Sequence, residues 1–187
     1  FTKGQLVINK LDGDHGSLLA GAKFEVQWYD KAEGKFKFCT TGTTGTNISG
    51  TADLAPLDQQ AAMLNELFPD AKTVGLLYCS AEPNSKYQID TIKPMLEEKG
   101  YTCEEFAFAD SNDVASVTTS ACAASDVIYI PTDNTAASCT EAIRNVVVPA
   151  KTPVVAGEQG ICSGCGVATL SISYYDLGYT TGEMAAK

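Results

Sequence analysis

Apolar and polar positions follow two different rhythms along the chain. Before residue 39 the period is two. Residues 5–10, 22–29 and 35–38 read as strands, and in the second of these Phe24, Val26 and Trp28 share one face while Lys23, Glu25 and Gln27 share the other. That is the mark of a half-buried antiparallel strand. Asp12-Gly13-Asp14 and Glu33-Gly34-Lys35 supply the turns. The small-residue tract Thr40-Thr41-Gly42-Thr43-Thr44-Gly45-Thr46 has no apolar anchor and reads as a linker or loop. The expected organisation is a β segment over 1–40, a linker over 41–55 and an α/β unit over 56–187.

From residue 56 onward, apolar runs of strand length alternate with segments of helical period. Pro56 suits the first turn of a helix carrying Leu57, Ala61, Leu64 and Leu67/Phe68, and Pro69 stops it. Residues 73–79 form an apolar strand of the kind covered on both faces. Asn84 or Ser85 then caps a helix with Ile89, Ile92 and Leu96 inward, ending at Lys99-Gly100 and kinked by Pro94. Residues 101–108 read as a strand, and Glu104 and Glu105 within it suit a sheet edge. A helix from about residue 110 turns Val114 and Val117 inward. Residues 126–131 are the most strand-like in the chain. A helix over 134–146, a strand over 152–156, a last strand over 166–172 and a last helix over 174–187 complete the pattern. Such alternation predicts an open α/β sheet of about five parallel strands joined by right-handed crossovers.

The charge divides in the same place. Residues 1–45 carry a net of +1 and residues 46–187 a net of −11. The chain of 187 residues has a formal net charge of −10 and a single arginine, Arg144, which argues against nucleic acid as a partner. Hydrophobic residues at 44% and charged residues at 19% are the proportions of a core-forming chain. No apolar run approaches the roughly 18 residues of a membrane span. Phe1-Thr2-Lys3-Gly4 is not a signal peptide, so none is expected in this chain.

His15 is the single histidine. It rules out histidine-pair catalysis and histidine metal clusters, and its place in an expected turn rules out a Ser–His–Asp arrangement. The run from Gly160 to Gly166 fits neither a dinucleotide fingerprint nor a P-loop. The seven cysteines are Cys39, Cys79, Cys103, Cys122, Cys139, Cys162 and Cys165, an odd number that cannot all pair internally. Cys162-Ser163-Gly164-Cys165 has the spacing of half a zinc knuckle or of a redox dithiol. No second pair supplies the remaining zinc ligands, so a loop disulfide or free thiols is expected there. Cys79, Cys122 and Cys139 read as small buried apolar residues. The expectation is a chain with no catalytic residue, no metal site and no cofactor.

Sheets of this type place ligands at the carboxyl ends of their strands. Three polar loops leave those ends: residues 80–85, 132–135 and 157–160. The first two open helices, where free backbone N–H groups favour a carboxylate. The candidate ligand-binding residues are therefore Asn84, Ser85, Thr132, Asp133, Asn134 and Glu158. Asp133 and Glu158 are the groups suited to a ligand ammonium. Taken alone, Asn84, Asp133 and Asn134 read equally well as helix caps. Tyr174 and Tyr175 suit stacking on an aromatic ligand, and at a helix start they suit packing better.

Several segments carry a resemblance. In order these are Gly42/Gly45-Thr46, Val74-Gly75-Leu76-Leu77-Tyr78, Asn84-Ser85, Lys99-Gly100-Tyr101, the run from Asp126 through Ile130-Pro131-Thr132-Asp133 to Asn134, Thr152-Pro153-Val154 and Ser173-Tyr174-Tyr175-Asp176-Leu177-Gly178. They resemble the ABC-transporter substrate-binding proteins of the family that includes tryptophan and aromatic amino-acid binders, over about residues 43–187. The resemblance implies one lobe of a type I periplasmic-binding-protein fold, an open parallel three-layer sheet. The match is mostly to the second lobe, and a first lobe has no counterpart here. It also implies a small-molecule ligand, an amino acid of aromatic type, bound at the interlobe cleft, a membrane ABC permease as partner and an extracytoplasmic location. A solitary lobe exposes its cleft face, so a dimer through that face is a further expectation. The opening segment, Gly4 to Lys10 and Leu18 to Val26, resembles the first strands of a Cna protein B-type (prealbumin-like) domain from surface adhesins and pilins. In that family a lysine at the position of Lys10 forms an intramolecular isopeptide bond. The acidic catalyst and the Asn/Asp acceptor have no counterparts here, so Lys10 reads as an exposed lysine. The alternative function is a cell-surface adhesin or pilin-like fragment with the α/β part as passenger, and the junction then marks a chimera.

Overall fold

The computed structural model describes residues 23–30, 35–43 and 54–186. The expected strand at 5–10, Lys10 and His15 lie outside the described residues. Two compact units divide the chain: Leu54–Ile172 forms one, and Phe1–Asp53 with Ser173–Lys187 forms the other. In the second of these, β1 (Lys23–Asp30) pairs antiparallel with β2 (Lys35–Thr43), with a register shift between Val26 and Gln27. Both strands lie where period-two alternation places them. β2 runs further than expected, so that part of the small-residue tract, through Thr43, is strand rather than linker. Threonine is a good strand former. The last helix of the chain, α7 (Tyr174–Ala186), also falls in this unit.

The unit Leu54–Ile172 is built from α1 (Leu57–Leu67), β3 (Thr73–Cys79), α2 (Pro83–Glu97), β4 (Thr102–Phe108), α3 (Val114–Ala124), β5 (Val127–Ile130), α4 (Asn134–Ser138), α5 (Thr140–Ala150), β6 (Val154–Ala156), α6 (Gln159–Cys165) and β7 (Ala168–Thr169). The five strands form one parallel sheet in the order β4-β3-β5-β6-β7. This is the α/β architecture of one lobe of a type I periplasmic-binding-protein fold.

Side-chain alternation along the central strands sorts the core into two layers. Val74, Leu76 and Tyr78 of β3 with Val127 and Tyr129 of β5 pack against Leu57, Ala61 and Leu64 of α1 and Ile89, Ile92 and Leu96 of α2. Leu77, Cys79, Ile128 and Ile130 turn to the other face and meet Val114, Ala121, Ile143, Val147, Ile161 and Cys165. Because both faces are covered, β3 and β5 are apolar at nearly every position rather than alternating. Each fully buried Leu or Ile contributes about 1.5–3 kcal/mol of transfer free energy. Among the described residues β4, with Glu104 and Glu105, lies at the edge of the sheet.

Four details differ from the sequence expectation. α2 starts at Pro83 with Glu82 as its N-cap, so Asn84 and Ser85 lie in its first turn rather than at its cap. Proline at the first helical position has no N–H to leave unpaired, and this sets the start. α2 ends at Glu97 rather than at Lys99-Gly100, so that Pro94, inside the helix as expected, falls in its last turn. The expected helix over 134–146 is broken at Cys139 (φ −114°, ψ 17°) into α4 and α5. The glycine-rich stretch read as a loop is helix α6, and β7 shrinks to Ala168–Thr169. Among the described residues no helix is long and apolar enough to cross a membrane.

Candidate functional site

After β4 the chain crosses back over β3 to place β5 on its other side. The carboxyl ends of β3 and β5 therefore flank the point where strand order reverses, and a crevice forms at such a point. The segment leaving β3 carries Glu82, Asn84 and Ser85, and the segment leaving β5 carries Thr132, Asp133 and Asn134. The adjacent β6 leads into Gly157 and Glu158. All six expected site residues thus lie at one edge of the sheet.

Hydrogen bonds tie the first two loops together in both directions. Asp133 is 1% exposed. Its Oδ2 accepts the Cys79 N–H at 2.7 Å and its Oδ1 accepts the Ala136 N–H at 2.8 Å, so it caps α4 and pins the end of β3 at once. In return, Glu82 reaches from the β3 side. Its Oε2 accepts from Asn134 N–H at 3.0 Å and Asn134 Nδ2 at 2.9 Å. Its Oε1 accepts from Thr135 N–H at 2.7 Å and Thr135 Oγ1 at 2.6 Å. Partial burial pushes the Glu82 carboxyl upward. The bonds from the Thr135 hydroxyl, the two backbone amides and the Asn134 side chain outweigh it and hold the group at about 2, against an ordinary 4.5.

The backbone of Thr132 is held from α2. Gln88 is buried; its Nε2 donates to Thr132 O at 3.0 Å and its Oε1 accepts the Thr132 N–H at 3.1 Å. Asn84 Nδ2 donates to the same carbonyl at 3.1 Å, and the buried Ser85 hydroxyl approaches it at 3.5 Å. The Thr132 hydroxyl lies 3.5 Å from Gly157 O, which links this loop to the end of β6. A Cβ on Gly157 would stand 2.7 Å from Pro131 C and Thr132 N, so only glycine allows the β5 and β6 exits to come this close. Glu158 caps α6, accepting from Gly160 N–H at 2.6 Å and from Ile161 N–H.

The structure thus separates the expected site residues by what their polar groups do. Asn84 and Asn134 are exposed at the rim, with their amide nitrogens turned into the lobe. Thr132 and Glu158 are half-buried. Ser85 and Asp133 are sealed inside, and of the two roles the sequence offers Asp133, helix cap and partner of a ligand ammonium, its carboxylate fills the cap, meeting the N–H groups of Cys79 and Ala136. Sequence reasoning missed Glu82 and Gln88. Glu82 was within reach, since a polar residue directly before a helix-starting proline stands at the cap. Gln88 gave no local signal, because its partner is 44 positions away. Among the described residues, no group of three or more His, Cys, Asp or Glu is placed to hold a metal ion. Cys79, Cys103, Cys122, Cys139, Cys162 and Cys165 are free thiols, which selects between the two expectations for the Cys162/Cys165 pair.

Comparison with known proteins agrees with this reading of the fold. A tyrosine-binding protein of Clostridioides difficile is 34% identical over 141 residues, which are 75% of this chain and 41% of that protein. The crystal structure of an ABC domain in complex with L-Trp from Streptococcus pneumonia superposes with a TM-score of 0.70 at 35% identity, over 75% of this chain and 49% of the other. The ligand-free, open structure of a substrate-binding protein with adhesive properties from Clostridium difficile gives a TM-score of 0.62 at 37% identity, over 76% and 48%. This chain spans about half the length of these relatives or less. The family model for ABC transporter substrate binding proteins matches residues 40–187. It takes in the whole of the expected linker, and the Cna B-type likeness of residues 1–38 has no counterpart in it. The family is one of binders rather than enzymes, and by a match over most of its length this chain belongs to the ABC transporter substrate-binding proteins.

Proposed function

We propose that this chain supplies one lobe of the extracytoplasmic solute-binding component of an ABC importer, with residues 56–187 as the substrate-binding part. It holds a small-molecule ligand, an amino acid of aromatic type, for delivery to a membrane permease. The observation that carries the reading is the pair of loops leaving β3 and β5, braced to each other at the point where strand order reverses. Two relatives named for tyrosine or solved with L-Trp support the aromatic class. In this reading Asn84, Thr132, Asn134 and Glu158 face the ligand, while Ser85 and Asp133 hold the loops that carry them. A two-lobe clamp buries its ligand from both sides, so a single lobe binds weakly and its uncovered cleft face favours self-association.

The test is thermal unfolding of the chain with L-Trp, L-Tyr and L-Phe at rising concentration, run beside light scattering. A melting temperature that climbs with ligand supports the reading, since binding to the folded state stabilises it in proportion to RT ln(1 + [L]/Kd). No shift with any of the three, up to millimolar concentrations, overturns it. A second reading, a surface-adhesive role, is favoured by the relative described as having adhesive properties. Binding of the chain to host-cell surfaces without dependence on amino acids would support that one. The junction of a Cna B-type segment with the α/β part, which that reading includes, is tested by sequencing the parent locus across residues 38–50.

A further inference from the structure

We propose that Glu82 is a positioning residue of the ligand site: its carboxylate sets the separation of the β3–α2 and β5–α4 loops and so controls affinity without touching the ligand. The inference rests on the functional reading above. All four bonds that Glu82 accepts from Asn134 and Thr135 cross from one loop to the other, at 2.6–3.0 Å, and they bridge 52 or 53 positions of sequence. Each carboxylate oxygen already accepts two of these donors, so no further strong acceptor position faces a ligand. One of the four, from Asn134 Nδ2, holds the side chain of the exposed Asn134 by its nitrogen. Asn84 adds only a long approach of 3.5 Å to the brace. A loop pair held this way is pre-organised, and small losses of such geometry weaken a site well beyond the bond removed.

A matched control is present in the same lobe. The exposed Asp126, at the amino ends of the strands, accepts the Lys72 and Thr73 N–H groups at 2.8 and 2.9 Å and thus makes a similar carboxylate tie far from the rim. The experiment compares wild type, Glu82→Gln, Thr135→Val and Asp126→Asn in the full chain. It measures L-Trp, L-Tyr and L-Phe affinity by calorimetry, melting temperature, and amide exchange of the peptide covering residues 131–138. Glu82→Gln places an amide NH2 against donors that need an acceptor. It is expected to weaken the best-bound of the three amino acids by about tenfold or more and to speed exchange across residues 131–138. Thr135→Val, which removes one donor from the opposite loop, acts in the same direction and less strongly. Asp126→Asn lowers the melting temperature but leaves affinity and that peptide unchanged. An affinity within about twofold of wild type in Glu82→Gln, or an equal loss in Asp126→Asn, overturns the proposal. Failure of wild type to bind any of the three is distinct: it overturns the functional reading, and the proposal falls with it.

Discussion

The Tyr129 hydroxyl donates to Gln60 Oε1 at 2.6 Å between residues that are both 0% exposed. The same Gln60 amide donates to Gly157 O at 3.1 Å and Leu170 O at 2.9 Å. One side chain on α1 therefore joins the middle of β5, the exit of β6 and the segment after β7. Burial pushes the Tyr129 phenol up, so the hydroxyl remains a donor throughout the range in which the protein is handled.

Gln60→Leu leaves a buried hydroxyl and two carbonyls without this partner, and each unmet buried group costs about 1–3 kcal/mol. The expected loss of unfolding free energy is about 3 kcal/mol or more, read by urea denaturation. Tyr129→Phe removes only the donor to Oε1 and is expected to cost about 1–2 kcal/mol. The double variant should fall short of the sum, because the two residues share a bond. Strict additivity would show that the pair is not coupled.

The Glu82 brace has a pH signature. Its carboxyl stands at about 2 in the folded chain against an ordinary 4.5. A group depressed on folding contributes stability above its unfolded value, and that contribution disappears as pH falls through the folded value. Stability should therefore decline between about pH 4.5 and 2 in the wild type, with a shallower slope in Glu82→Gln. The check is denaturant midpoint against pH for the two proteins. Identical slopes would remove Glu82 from the account of acid sensitivity.

Two glycines in very different surroundings should respond oppositely to alanine. At Gly157 a Cβ meets backbone atoms of Pro131 and Thr132 at 2.7 Å, and backbone cannot step aside as a side chain can. Gly157→Ala is expected to destabilise by about 1–3 kcal/mol and to disturb Thr132. At Gly182 in α7 nothing lies within 4 Å of the added atom. Gly182→Ala should be neutral or stabilise by up to about 1 kcal/mol through helix propensity. Melting temperatures of the two variants decide the matter.

Two other glycines, Gly160 and Gly164, mark where sequence reading runs out. The strand–helix alternation was legible because β3 and β5 are apolar at successive positions, and Glu104 and Glu105 announced an edge for β4. The helix α6 was not legible, because Gly160 and Gly164 resemble loop residues when read locally. In the fold, Gly164 is small because a Cβ would stand 2.4 Å from Thr140 Cβ on α5. The rim was legible as a place, since all six candidates end up at the carboxyl edge of the sheet. Their roles were not. Whether Asp133 faces a ligand or the Cys79 amide is decided by a partner 54 positions away, and no spacing rule reaches so far.

The Cys162/Cys165 pair gives the last prediction. A redox dithiol needs a thiolate favoured by a helix N-terminus or a nearby cation. Here Cys162 sits at the middle of α6 and Cys165 is its last residue, so neither opens the helix, and Glu158 is the charge that influences both. Burial, assisted by Cys162 and Glu158, pushes the Cys165 thiol up to about 11, and its Sγ donates to Ile161 O at 3.4 Å. Burial, with Glu97 adding to it, pushes Cys103 to the same range, about 11. In the native protein at pH 7.5, iodoacetamide should therefore leave Cys103 and Cys165 unlabelled while urea exposes them both, as read by mass spectrometry of tryptic peptides. Zinc should leave the melting temperature unchanged, since one thiol of the pair is buried and protonated. Rapid native labelling of Cys165, or stabilisation by zinc, would show that the pair is chemically poised after all.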